Sequence, residues 1–512
     1  MAVALAVGIA SVAAADDTIK IDSETFGGLE ARNIGPAAMS GRIAALDAVE
    51  VEGRLRIYVG SAGGGVWKSN DGGTTFDPVF DKHCQSIGAV AIDRSHPKTV
   101  WVGSGESWTR NSVSIGDGIY KTSDGGDNWQ KVGLEESERI ARIAIDPEHP
   151  DTVYVAVPGH LWNRHPMRGV YRTRDGGKTW QRVLFVNEDT GCGDVAVDPE
   201  NPRIVYAGMW QFRRQPWSFS SGGPGSGLYK SQDGGDTWQK VTRGLPAGDL
   251  GRIGIAIAPS DPKTVYATVE AKRGGLYRSQ DRGETWEEMN STNNVTIRPF
   301  YFGIVIVDPH DPNRVYKPGI DLVTSDDGGH TFSGIGAQGG VHSDYHAVWI
   351  DPKNSERLLV GTDGGVYASE NRGNDWRLLG SLAGRAVLPR ELRHGVSRTT
   401  CTAGSRTTAR GWVLRNAAAG SRTAIGACSA GGDGMWAFVD ARDPDFTYVE
   451  YQEGNVSRVR QVDGRDQGHP SLPPSRRARL SLQLEHADPP EPDPARRHVH
   501  RRPVPVPLHR PR

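Results

Sequence analysis

The chain has 512 residues, with 65 Gly, 32 Pro and 14 Trp against 11 Phe, and only 37% of it is hydrophobic. This composition excludes a collagen-like chain, a coiled coil and a polytopic membrane protein, and favours many short strands joined by Gly-rich turns. Sixty Lys and Arg balance 61 Asp and Glu, so no bulk charge draws the chain to nucleic acid.

Residues 1–15 are apolar and mostly small, and Ala13, Ala14 and Ala15 precede Asp16 and Asp17. They read as the apolar core and cleavage site of a secretory signal peptide that lacks its basic start. The mature protein is therefore predicted to be exported, to the periplasm, the cell surface or the medium. No other apolar run reaches the roughly 18 residues of a membrane span, so no transmembrane segment is expected. Four cysteines, Cys84, Cys192, Cys401 and Cys428, are too few for a disulfide scaffold and are not spaced as a zinc site.

From Ser69 onward one pattern recurs, S/T-x-D-x-G-x-T/N-W/F, first as Ser69 to Phe76 and then as Thr122 to Trp129. Its third position falls at Asp71, Asp124, Asp175, Asp233, Asp281, Asp327 and Asn371, and six steps from 71 to 371 give a mean period of 50. A β-type repeat of that length predicts propeller blades. The Asp accepts hydrogen bonds from turn amides, the Gly supplies a positive φ, and the Thr-Trp pair re-enters a strand. These Asp residues are read as structural. Each repeat also carries an apolar strand such as Ala89-Val90-Ala91-Ile92, a second such as Thr99-Val100-Trp101-Val102, and a third such as Gly118-Ile119-Tyr120-Lys121. With the strand after the box this makes four strands, A to D. The near-continuous apolar A strands read as the inner ones. Seven blades are predicted from Arg42 to Gly380, with a half-blade at Met435–Tyr451.

Beyond the seventh blade the composition shifts. Residues 384–430 are rich in Arg, Thr, Ala and Gly without strand alternation and are predicted irregular. Residues 461–512 are dominated by Pro and Arg and are predicted disordered. Both stretches read either as frameshifted translations of a GC-rich gene or as a natural linker and tail.

The boxes, together with Arg32-Asn33-Ile34-Gly35-Pro36, Ser40-Gly41-Arg42-Ile43, the Gly-rich run from Trp217 to Gly227 and Gly361-Thr362-Asp363-Gly364-Gly365, resemble exported bacterial proteins with a sortilin N-terminal-type, neuraminidase-repeat propeller. These are often labelled glycosyl hydrolases. The resemblance covers 29–383 and a partial blade at 431–460. It implies an all-β propeller, ten-bladed in sortilin itself. The family has a further blade where this chain has 384–430, and more blades where it has its tail.

Strand order puts the B–C and D–A loops on the face opposite the boxes. The B–C loops are long in three consecutive blades, over 105–118, 158–169 and 209–227, and this marks the binding face. They offer Trp108, Trp162, Trp210, Arg213, Arg214 and Trp217 as a stacking surface for sugar or peptide, or as a loop packed on itself. Arg42 and Arg142 stand at A-strand starts and add positive charge for an anionic ligand. Four carboxylates on this face, Glu106, Asp117, Asp344 and Asp363, are candidates for acid–base catalysis, and the sequence does not pair them. His342, Asp344 and His346 alternate ahead of an A strand. If extended, they point one way and suit a divalent metal, a metal-free polar site or a structural cluster. No other cofactor is expected. The expected function is a binding or scaffold propeller for polypeptide or glycan. The alternative is a sialidase- or xyloglucanase-like glycoside hydrolase using carboxylates on the same face.

Overall fold

The computed structural model describes residues 41–382 apart from 110–112, 216 and 337–339, and backbone strands between 387 and 460. Seven antiparallel sheets follow one another over 43–78, 87–131, 142–184, 190–241, 250–290, 306–334 and 345–378, each laid out in chain order as A-B-C-D. Blade 4 adds Ser218–Ser221, paired to the extended end of its B strand, Val205–Gln215. The B strands explain why the apolar runs are unbroken. Val100–Ser104 and Val153–Val157 are buried at every position, because each sheet is covered by a neighbour on both faces. The A strands of adjacent blades lie side by side, so they form the innermost layer.

The ring closes at seven. Ile43, Ile57 and Val59 of blade 1 share one core with Trp349, Leu359, Val366 and Leu379 of blade 7. The joint is built like that between blades 1 and 2. A Cβ on Gly361 in the B strand of blade 7 would come within 2.7 Å of Ile43, just as one on Gly60 would come within 2.5 Å of Ile87 in the next blade. The bare glycine lets the following inner strand approach. The ten-bladed ring implied by the sortilin-type resemblance is thus replaced by seven blades, and the residues at 431–460 are not needed for closure. Those residues form a three-stranded sheet, Ala437–Val439, Phe446–Tyr451 and Asn455–Arg460. Over 384–430, predicted irregular, the backbone forms four antiparallel strands, Val387–Gly395, Arg398–Ser405, Thr408–Arg415 and Ile425–Cys428. Thr- and Val-bearing runs between glycines supply enough strand propensity without strict alternation. The predicted signal peptide and the predicted disordered tail lie outside the described residues. Among those described, no helix is long and apolar enough to cross a membrane.

The boxes are hydrogen-bonded turns that also stitch blades together. In blade 4, Ser231 Oγ donates to Asp233 Oδ1 at 2.8 Å and accepts the Gly235 N–H at 2.8 Å. Asp233 accepts the Thr237 N–H at 2.9 Å and its hydroxyl at 2.7 Å. In blades 2, 3 and 7 the box indole reaches backward, with Trp129 Nε1 donating to Val79 O at 2.8 Å and Trp376 Nε1 to Ile335 O at 3.1 Å, whereas Trp238 and Trp286 donate within their own boxes. The B-strand tyrosine reaches forward, and Tyr58 OH donates to Gly125 O at 2.9 Å in the next box. This fixes the box face and leaves the other face to the loops. There the D–A connection between blades 5 and 6, residues 291–305, is the longest of its kind and contains the short helix Asn293–Thr296.

Candidate active site

On the loop face, at the start of the inner strands, Arg42 gathers residues from four blades. It stands immediately before the A strand of blade 1. Its Nη2 pairs with Asp363 Oδ2 at 2.8 Å, and its Nη1 lies 3.4 Å from Glu106 Oε1. Nη1 also donates to the Tyr301 hydroxyl, brought in by the 291–305 loop. Burial alone would lower the Arg42 pKa, but the charges of Asp363, Tyr301 and Glu106 outweigh it and hold it raised. Asp363 follows the B strand of blade 7 and completes the pairing through His346 Nε2, 2.8 Å from its Oδ1. His346 is fully buried among Trp108, Tyr301 and Phe302, with ring centroids at 4.9, 5.5 and 5.9 Å. Burial lowers its pKa despite the hydrogen bond to Asp363, so the ring is held neutral. Its Nδ1 is buried without a hydrogen-bond partner.

Asp344 is the reachable carboxylate of the group. It is half-buried in the D–A loop before blade 7, and its main-chain carbonyl accepts the Asp363 N–H at 3.2 Å. Burial raises its pKa, and the negative charge of Asp363 raises it further. The arrangement therefore offers one carboxyl that holds its proton more readily than usual beside one clasped by Arg42 and His346. Two carboxyls with divergent environments are what acid–base chemistry on a glycosidic bond requires.

Of the residues predicted from sequence, Arg42, Glu106, Asp344, Asp363, His346 and Trp108 come together. Trp108 does so as a wall and not as an exposed platform, since its indole is buried against Tyr301 and the Arg252 guanidinium at 4.9 Å. Asp117 is committed elsewhere. It takes Lys131, Tyr120 and Ser104, and these hydrogen bonds outweigh burial and lower its pKa. Arg142 is half-exposed and faces Asp194 at 3.8 Å instead of joining Arg42. The metal triad is not assembled. Asp344 has φ 64°, which breaks the extended geometry that would align it with His342 and His346. His342 Nδ1 turns to Ser343 O at 2.9 Å. Among the described residues no three His, Cys, Asp or Glu side chains are grouped to hold a metal ion.

The predicted aromatic surface divides in the same way. Trp210 is buried, stacked on Phe212 at 4.2 Å and bonded to Ser221 Oγ at 3.0 Å. Arg213 pairs with Asp189, and Arg214 lies over Phe219 at 5.2 Å. Trp217, 81% exposed, and Trp162, 38% exposed, remain open to a ligand. Sequence reasoning missed Tyr301, Arg252 and Lys317. Arg252-Ile253 repeats the Arg42-Ile43 and Arg142-Ile143 strand starts, and that recurrence was the available signal. Tyr301 has none, because its loop lies outside the repeat.

Comparison with known proteins matches the BNR/Asp-box repeat over residues 171–182. The chain is 24% identical over 367 residues to a probable oligoxyloglucan-reducing end-specific xyloglucanase of Neosartorya fischeri, covering 61% of this chain and 42% of that protein. It is 29% identical over 404 residues to a xyloglucanase of Acetivibrio thermocellus, covering 62% and 45%. The chain spans less than half the length of the curated relatives it matches. Among solved structures, the GH74 xyloglucanase from Xanthomonas campestris superposes with a TM-score of 0.60 at 17% identity, covering 86% of this chain and 69% of that one. A GH74 enzyme of Niastella koreensis gives 0.56 at 17%, covering 83% and 65%. These likenesses agree on the fold: the chain is an Asp-box repeat β-propeller.

Proposed function

We propose that this propeller acts on a β-glucan of the xyloglucan type, as a glycoside hydrolase whose acid is Asp344. The carrying observation is the pair of carboxyls at the Arg42 site, Asp344 half-exposed with a raised pKa and Asp363 clasped by Arg42 and His346. The xyloglucanase relatives support the substrate class. Asp344 delivers a proton to the departing glycosidic oxygen. Asp363, ion-paired to Arg42, stabilises the positive charge that develops on the sugar ring, and the water that adds to that ring returns its proton to the Asp344 carboxylate. Buried Arg42 and neutral His346 fix the Asp363 carboxylate so that it does not reorganise during the reaction.

The test incubates the whole chain with xyloglucan, reads released reducing ends, and in parallel measures retardation in native gels containing the polysaccharide. The expected result is release by the native chain, a fall of about 100-fold or more in Asp344→Asn, and retardation unchanged. Neither release nor retardation, or release unaffected by Asp344→Asn, overturns the proposal. The exposed Trp217 and Trp162 favour a second reading, a non-catalytic glycan-binding propeller. Retardation without release would select it, and loss of retardation in Trp217→Ala would locate the surface.

A further inference from the structure

At the joint between blades 5 and 6 two neighbouring B-strand slots carry polar side chains. Aligning the B strands places Val59, Val102, Val155, Ala207, Ala267 and Val360 in one fully buried slot, and blade 6 fills that slot with Lys317. The next slot holds Gly60, Gly103, Gly208 and Gly361, with Ala156 in blade 3 and Pro318 in blade 6, and only blade 5 fills it with a polar side chain, Thr268. An apolar slot and a slot of glycine, alanine or proline are thus both given to polar side chains at one joint. Departures of this kind from a repeat's own pattern fall at functional or strained sites.

Both residues line a cavity of about 530 Å³ between the two blades, together with Arg252, Glu270, Phe302 and the 291–305 loop. Its volume is within the roughly 300–1,000 Å³ of small-molecule sites. Lys317 and Arg252 are almost fully buried, yet among the described residues neither has a carboxylate at ion-pair distance. Lys317 Nζ donates to Phe302 O at 2.6 Å and Pro318 O at 2.8 Å, and Arg252 Nη1 to Phe300 O at 3.0 Å and Tyr301 O at 3.3 Å. The Arg252 Nε–H and the Thr268 hydroxyl are buried with no partner. Burial, assisted by the Arg252 charge, pushes the Lys317 ammonium down to about 7. Arg252 meets opposite charge only beyond ion-pair distance, from Asp194 and Glu270, so its guanidinium, the Lys317 amine and two unused polar atoms around one cavity favour an anion, which would also hold Lys317 protonated. At the rim Lys272 and Arg273 add positive charge against Glu288. Glu270 shares the cavity and accepts Ser221 Oγ–H at 2.6 Å and the Arg252 N–H at 2.8 Å. Its carboxylate opposes a multivalent anion and suits hydroxyl groups.

From this geometry we propose that the cavity between blades 5 and 6 is a second ligand site, taking a small hydroxylated monocarboxylate of the uronate class. The carboxylate sits between Lys317 and Arg252, and the hydroxyls meet Thr268 and Glu270. The site is lined by neither Asp344 nor Asp363, and so it stands independently of the hydrolase reading. Isothermal titration of the whole chain with D-glucuronate, D-glucose and acetate tests it. Glucuronate is expected to bind one site, at least about tenfold more tightly than glucose or acetate, as for any ligand that uses both charge and hydroxyl contacts. Thr268→Val and Lys317→Met are each expected to weaken it about tenfold. Methionine returns the Lys317 slot to the apolar character of the other blades, so that variant folds. Asp344→Asn leaves the glucuronate affinity unchanged. Absence of glucuronate binding, equal binding of glucose, indifference to both cavity variants, or loss of binding in Asp344→Asn overturns the proposal.

Discussion

Asn371 defines what the box asks of its third residue. In the seventh repeat its Oδ1 accepts the Asp375 N–H at 2.9 Å, and its Nδ2 donates to Asp375 Oδ2 at 2.8 Å. In five other boxes a carboxylate takes both the amide and the hydroxyl of the re-entering threonine, as Asp71 does from Thr75, and Asp124 takes the main-chain and side-chain amides of Asn128. The turn needs an acceptor for the main chain, and the charge is secondary. The charge nonetheless leaves a pH signature. Hydrogen bonds from the Thr75 amide and hydroxyl lower the Asp71 pKa to about 2. A lowered carboxylate pKa stabilises the fold above its unfolded value of roughly 3.9, and that stability is lost as pH falls through the folded value. Between about pH 4 and pH 2 the native chain should therefore lose urea resistance faster than Asp71→Asn. The gap between the two at pH 7 is about 1 kcal/mol or less, because the carboxylate is solvent-screened. Urea midpoints at pH 7, 3 and 2 check this, and parallel curves for the two proteins refute it. At this scale the sequence was most readable where a residue serves the turn that contains it. Arg42, Glu106 and Asp363 were legible as candidates but not as partners, since 64 and 321 positions of chain separate Arg42 from the other two.

The blade is the unit in which most of the fold could be read, because its four strands and its box recur at a fixed period. What recurs less visibly is the joint. Gly60 and Gly361 occupy the same place in their B strands, and each admits the first inner-strand isoleucine of the following blade. Leu359, 1% exposed, lies in the core shared by blades 7 and 1. Truncating it to alanine should cost about 2–5 kcal/mol, as for other buried leucines. Gly361→Ala should destabilise as strongly as Gly60→Ala, since both force a methyl onto isoleucine. Urea unfolding of the three variants decides the point. If Gly361→Ala is harmless while Gly60→Ala is not, the seam is not built as an ordinary joint. The long loops show where reading by element fails. Their length on one face was visible, but not the direction of their side chains. Trp210 extends a B strand and stacks inward near Arg252, with the cation 5.3 Å from its ring. Trp217, seven residues later, points to solvent. A guanidinium from another blade makes that difference, and no local pattern announces it. The Lys317 slot was by contrast within reach of strand alignment, as the lysine interrupts a column of Val and Ala.

For the whole molecule, closure at seven decides which part of the chain carries stability. A ring has no free sheet edge at its inner layer, and each blade is held by two neighbours. Among the described residues the core joining blades 7 and 1 ends with Leu379 and Leu382, so the contacts seen to close the ring are made by residue 382. The strands from Val387 to Arg460 form two further sheets, paired within themselves and lying against each other. A chain stopped after Leu382 should then unfold in urea in one transition at the midpoint of the full chain's main transition. The slope of that transition should match as well, because slope follows the surface exposed on unfolding. If the later sheets were part of the ring's cooperative unit, the shortened chain would show a lower midpoint and a shallower slope. The same comparison bears on the Arg42 site. Glu106, Tyr301, His346 and Asp363 all lie before residue 382, and Arg42 meets Asp363 only because blade 7 returns to blade 1. A shortened chain that keeps its midpoint should therefore keep the site. An opened ring would separate Arg42 from Asp363, and the proposed hydrolysis of xyloglucan would fall together with the unfolding midpoint.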